Sequence, residues 1–298
     1  MIESLFRTVS GRASQRVFSA FFLALVFLGA AVAAWSGHDG GELVAKATRW
    51  AGGRPGFVQG LATAAVLTGV ALAGLLVLAA VPPATRLLAG YWPSWLEPVR
   101  AWLVGRIEQA AERDQEAVQR LHHEQRSDPR LDRRLRNRPS TTERYLPTRL
   151  GNLMRAAQTR PIDKYGLDPV AIWPHLFLVM PETTQKEITA AGYAVERSVS
   201  AVLWCVLLVV LTPWVWWAAP LGIAGAALLV RTTVHGAAAT HGELLEAAID
   251  LHRLELYRKL CWPLPANPAA ERELGERLVS YLRYGSDSAE PAFVTDKS

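Results

Sequence analysis

Apolar residues in this chain fall into two patterns, and each predicts a different kind of helix. The first is the long continuous run: Val17 to Trp35, Phe57 to Val81, Val199 to Trp217, and Pro220 to about Ala239. Each is close to the roughly 20 helical residues that cross a hydrocarbon core. The last two are separated only by "WVWWAAPLG", which predicts a tight hairpin with Pro220 at the first position of the fourth helix and a bend in the third at Pro213. The second pattern is apolar spacing by threes and fours. It runs through Leu96, Leu103, Ile107, Ala110, Ala117 and Leu121, through Leu245, Ile249, His252, Leu256 and Leu260, and through Leu274, Leu278 and Tyr281. These are amphipathic helices outside the bilayer. Within them, Glu255 and Lys259 are placed as an i,i+4 ion pair.

The fold class is therefore an all-α integral membrane protein with four transmembrane helices and a helical cytoplasmic domain. Residues 1–81 form an N-terminal hairpin with spans at 17–35 and 57–81. Residues 82–198 are an amphipathic region with an arginine-rich segment. Residues 199–239 form the second hairpin, with spans at 199–217 and 220–239. Residues 240–285 are C-terminal cytoplasmic helices, and 286–298 are expected to be a disordered tail.

Composition agrees with the runs. Half of the 298 residues are hydrophobic and only a fifth are charged, too apolar a balance for an ordinary soluble domain. Arginine outnumbers lysine 27 to 5, a bias of GC-rich bacterial genomes, so the membrane is read as a bacterial cytoplasmic (inner) membrane. With four spans, 29 of the 32 basic residues fall on one side, which places both termini in the cytoplasm. The first run, ending in Ala31-Val32-Ala33, also has the form of a cleavable signal peptide, although it is long for one.

The spans carry little chemistry. Residues 17–35, 57–81 and 199–230 contain no Asp, Glu, Lys, Arg or His, whereas coupled carriers place ionisable groups there. Small residues recur at helical spacing instead: Gly29 and Ala33, then Ala65, Gly69 and Ala73, then Ala218, Gly222 and Ala226. Such ridges allow close helix packing, within one chain or between copies of a homo-oligomer. Arg231, with His235 one turn on, is the candidate intramembrane polar site, and the competing reading is a side chain that snorkels to the headgroups.

Outside the spans, the Trp-rich start of the run after Pro83 should lie on the inner membrane surface. Arg126, Arg130, Arg133, Arg134, Arg136 and Arg138 are candidate contacts to anionic phospholipid, against the alternative of a solvated linker. No aromatic platform or nucleic-acid module accompanies them, and nucleic acid is set aside as a partner.

The stretch "YLPTRLGNLMRAAQTRPIDKYGLDPVAIWPHL", Tyr145 to Leu176, is dense in residues with unusual backbone demands. A helix is predicted to start after Pro147-Thr148 and to stop at Pro161. Tyr165-Gly166 is read as a turn. Asp168-Pro169 is a cap followed by a first-turn proline, opening a short apolar helix that is kinked or restarted at Pro174. Asn152, Asp168 and Trp173 are accordingly assigned to architecture. From about Tyr145 to Gly285, on "LPTRLGNLMRAA", "YGLDPVAIWP", "AAIDLHRLELYRKLCWPLPANPAAERELGERL" and "YLRYG", the chain resembles a group of uncharacterised multi-pass membrane proteins, mainly from actinobacteria. The resemblance implies a recurring architecture and supplies no activity.

Motifs with a mechanism are missing: no GxxxxGK[ST], GxGxxG or GxSxG occurs, and "HEQRS" lacks the second histidine of HExxH. Cys205 and Cys261 have no spacing that suggests a disulfide or zinc. No cofactor, metal or catalytic residue is assigned. The reading is a non-enzymatic scaffold or sensor whose cytoplasmic helices engage a protein partner or the membrane surface. The alternatives are an oligomeric channel or membrane-perturbing pore and, ranked last, a membrane enzyme acting on lipid-linked substrates.

Overall fold

The computed structural model describes residues 24–29, 45, 49, 52–53, 55–286, 288 and 290–294. The chain is 81% helical, with no strand among the described residues. The longer helices are α1 (Gly56–Leu88), α2 (Glu97–His123), α3 (Pro129–Arg136), α4 (Arg149–Tyr165), α5 (Pro169–Val179), α6 (Glu182–Leu207), α7 (Ala218–Leu229), α8 (His235–Lys259) and α9 (Pro268–Tyr284). Contacts divide them into two compact units, residues 1–85 with 196–233 and residues 86–195 with 234–298.

Three helical stretches, Gly56–Leu88, Glu182–Leu211 and Ala218–Lys259, are long and apolar enough to cross a membrane. The expected span at 17–35 lies mostly outside the described residues, of which 24–29 are helical. In the first unit, α1 and α7 are apolar all round and turn Phe57, Leu76, Leu221, Ile223 and Leu228 outward, the behaviour of helices whose solvent is lipid. A small core of Ala24, Val70, Val77 and Trp204 joins the 24–29 helix, α1 and α6. There the rings of Phe27 and Trp204 lie 5.4 Å apart.

Proline placement differs from the expectation in this unit. α6 gives way to a 3₁₀ turn at Leu208–Leu211, so Pro213 sits in the connecting turn instead of bending a helix. The partner helix then starts at Ala218, two residues before Pro220. Proline in a first turn sacrifices a donor that has no intrahelical partner anyway. The ridge Ala218–Gly222 is buried against α6, where a methyl group at Gly222 would overlap the Cys205 carbonyl oxygen. The ridge through Gly69 is open among the described residues, with nothing within 4 Å of an added methyl.

The second unit has its own core, in which Leu167, Ile172, Leu176, Ile249, Leu256, Tyr257, Trp262 and Leu278 come from α5, α8, α9 and the loops beside them. Residues 157, 160, 164 and 165 of α4 meet 242, 246 and 250 of α8 in ascending order, so these two helices run parallel. α4 does not stop at Pro161, which is buried inside it; the helix continues to Tyr165 and ends at Gly166 in the left-handed conformation (φ 67°). Pro161 removes one helical hydrogen bond, but its burial and the glycine cap one turn later carry the helix past it. α5 likewise runs unbroken through Pro174. Of the expected tail at 286–298, residues 287, 289 and 295–298 lie outside the described residues; within the described part Val294 N–H donates to the Cys261 carbonyl at 2.8 Å, and the Phe293 ring packs on Trp262 and Tyr281.

Candidate functional site

The most concentrated chemistry among the described residues lies where α4 and α8 meet. Glu246 on α8 is buried, with its side chain 5% exposed. It receives Arg160 Nη1 and Lys164 Nζ, each at 2.7 Å, and Arg136 from α3 stands 3.9 Å away. One turn on, Asp250 accepts from the Tyr165 hydroxyl at 2.9 Å and lies 3.5 Å from Lys164. Arg253 continues the network: it covers the Tyr165 ring at 4.3 Å, donates to the Asp250 carbonyl and donates to buried Glu271 of α9 at 2.6 Å.

The charge states follow from these contacts. Burial alone would raise the Glu246 pKa, but hydrogen bonds from Lys164 and Arg160 outweigh it and hold the carboxyl below the ordinary carboxylate value. Burial works against the charge on Lys164, and Glu246 with Asp250 more than compensates, holding the amine above its ordinary value. The Tyr165 phenol is pushed up by burial and by its bond to Asp250. A general acid at neutral pH needs a carboxyl raised toward 6 or 7. Glu246 is shifted the other way and is saturated by cations. No group of three His, Cys, Asp or Glu with metal-binding geometry occurs among the described residues.

The Tyr145–Asn152 stretch forms a clamp. Asn152 is buried; its Oδ1 accepts from Leu146 N–H at 2.8 Å, while Nδ2 donates to the Leu146 and Thr148 carbonyls at 2.7 and 3.0 Å. Thr148 caps α4 by accepting from Gly151 N–H at 3.0 Å. The clamp holds the start of α4 against the corner that follows α1. There Gly90 is left-handed (φ 92°) beneath Pro147, and a methyl group at Gly151 would overlap the Ala89 carbonyl. Asp168 caps α5 by accepting from Val170 N–H at 3.0 Å and also pairs with Arg283 of α9. Trp173 is half-buried at the edge of the core, 6.0 Å from Phe177 between ring centroids.

The six arginines assigned to lipid separate into two groups. Arg138 forms an ion pair with Asp114 of α2 at 2.9 Å and is 19% exposed, while Arg136 reaches to 3.9 Å from Glu246 with its side chain 62% exposed. Arg126, Arg130, Arg133 and Arg134 remain exposed, the last 3.9 Å from Asp114. The segment is not simply a linker, because Asp128 caps α3 and Leu131 is buried beneath it. Arg231 is exposed within a π-helical turn, Val230–Val234, a local irregularity common at functional sites, and His235, half-buried, opens α8 directly after it. Glu255 pairs with His252 Nδ1 at 3.3 Å, although the sequence spacing suggests Lys259 as its partner.

Sequence reading misses Glu246, Arg160 and Lys164. Two like-charged pairs at i,i+4, Arg160/Lys164 and Glu246/Asp250, are the available signal: each puts two charges on one helical face, and the two faces are complementary. Comparison of the chain with protein-family models, curated proteins and solved structures returns no match.

Proposed function

We propose that this chain is a non-enzymatic scaffold or sensor of a bacterial inner membrane, with four spans, both termini cytoplasmic, and a cytoplasmic helical unit that engages a protein partner or the membrane surface. One contrast carries the reading. The apolar helices at 57–81, 199–211 and 218–229 contain no Asp, Glu, Lys, Arg or His, while buried Glu246 and Glu271 of the second unit are both held in ion pairs. Spans without charged or readily protonated side chains suit anchoring better than coupled transport. Carboxylates held ionised by cations suit a rigid presenting surface better than proton transfer.

The reading is tested by photo-crosslinking from Leu251 and Tyr284, two exposed residues of α8 and α9, in cells. A discrete hetero-crosslink that is lost on moving the probe to buried Ile249 is the expected result. A second reading, an oligomeric channel or pore, draws on the open Gly69 ridge. Self-crosslinks along α1 together with selective ion flux in proteoliposomes would replace the scaffold reading with that one. Turnover of a lipid-linked substrate by the purified protein would replace it with an enzyme.

A further inference from the structure

Among the described residues, α2 packs chiefly against α3. Its buried residue is Ala111, and Asp114 beside it pairs with Arg134 of α3 and with Arg138 just past the end of α3. Nearly half a turn round the helix from Ala111, a second stripe faces outward. It begins with Trp95, in the 3₁₀ turn that leads into α2, and continues with Val99 and Trp102; these are 74%, 45% and 60% exposed. Arg106 and Arg113 follow on the same line, and the Arg106 guanidinium lies 5.0 Å over the Trp102 ring. Glu97, Glu108 and Glu112 fall off this line. Glu116 lies nearer to it and is paired with Arg120 at 3.4 Å.

We infer that this stripe is a docking surface for anionic phospholipid of the leaflet next to α2, with Trp95, Val99 and Trp102 inserted at headgroup level and Arg106 and Arg113 on lipid phosphates. Three observations select lipid over protein. The exposed apolar residues are mainly tryptophan, whose amphipathic ring favours the membrane interface. The stripe passes from aromatic to basic along one side, which matches acyl chains bordered by phosphate. Only five residues, 89–93, separate the end of α1 from the turn carrying Trp95, so a chain that reaches at most about 3.5 Å per residue keeps Trp95 within roughly 25 Å of the end of α1. The sequence pattern alone places the lipid contact chiefly on Arg126 to Arg138; the structure turns Arg138 of that group inward, brings Arg136 to 3.9 Å from Glu246, and leaves the α2 stripe facing out.

The inference rests on the membrane reading above, and the test separates the two. Full-length protein with Cys205→Ser and Cys261→Ser carries one fluorophore, at Val99→Cys or at Gln115→Cys, which is exposed on another side of α2. It is reconstituted into vesicles of neutral phosphatidylcholine, or of the same lipid with about a third phosphatidylglycerol. The Val99 label should be quenched by acyl-chain bromine and several-fold less by aqueous iodide than the Gln115 label. The difference should grow with the anionic lipid, and either high salt or Arg106→Gln with Arg113→Gln should remove that growth. Equal iodide access at both positions overturns the inference, and so does shielding from both quenchers, which would mean that protein covers the stripe. Equal burial in the two lipids overturns the phosphate assignment. Failure of the unlabelled protein to reconstitute at all would count against the membrane reading itself.

Discussion

Replacing Glu246 with glutamine removes one negative charge from a site where it is buried and holds two cations at 2.7 Å. Arg160, 19% exposed, cannot turn fully to water; loss of its charged hydrogen bond costs about 2 kcal/mol. Lys164 is 43% exposed and swings into solvent, so solvent screening limits its share to less than about 1 kcal/mol. The expected loss is about 2–3 kcal/mol, at the lower edge of what breaking a buried pair costs. For a unit of this size that is a fall of roughly 5–10 °C in thermal midpoint, measured in detergent by the exposure of a core tryptophan. The sign of the pH dependence follows from the lowered folded pKa of Glu246. Its contribution is present above the ordinary carboxylate value and is lost as pH falls through the lower folded value, so the gap between wild type and Glu246→Gln should hold at neutral pH and narrow only once pH falls below the ordinary carboxylate range. Glu246→Leu combined with Arg160→Met and Lys164→Met should recover most of the loss, because the desolvation cost leaves with the charges. An unchanged midpoint in Glu246→Gln, or a gap that widens in acid, would refute the assignment of Glu246 as an ionised structural anchor.

The remaining predictions concern the Tyr145–Leu176 stretch and the topology. Asn152→Ala leaves the Leu146 N–H and C=O without their partner and should cost about 2–4 kcal/mol; Asn152→Asp should be no better, since it sets a carboxylate oxygen against two carbonyls, and equal stability of Asp and wild type by thermal melting would contradict the clamp. Asp168→Asn should cost only a few tenths of a kcal/mol, because the cap survives and the Arg283 pair is partly exposed, whereas Asp168→Ala should cost about 1 kcal/mol more; lost function at wild-type stability in the Asn variant would move this residue from architecture to chemistry. In protein without Cys205 and Cys261, a cysteine at Gly53 should react with an impermeant thiol reagent in whole cells and one at Ser140 should not. The reverse pattern would end the four-span, cytoplasmic-termini topology.

Legibility in the sequence depends on range. Asp168, Thr148 and Asn267 act on backbone groups two or three residues away, and their cap signatures can be read directly. The apolar runs announce their helices because a membrane span needs no partner to satisfy its backbone. Pro161 reads as a stop because local propensity favours breaking there, and only its tertiary burial overrides that preference. The Glu246 cluster joins residues more than 80 positions apart, so the sequence contains both halves without indicating that they meet. The α2 stripe is visible as tryptophan content, but not as a face, because the packed side is set by Asp114 and α3.

Gly166 and Gly275 face each other where the end of α4 crosses α9. A methyl group on Gly275 would overlap the Tyr165 carbonyl oxygen, and one on Gly166 would overlap the Arg272 carbonyl oxygen. Sliding α9 by one turn in either direction would bring Glu271 or Arg272, or Leu278 or Val279, to this crossing, and each carries a Cβ that cannot fit. The last helix therefore has one seat, with no near-native slipped register to trap it. Because 268–284 is synthesised after α4, α5 and α8, it is the last wall of this core to leave the ribosome, and the two glycines leave it a single register in which to dock.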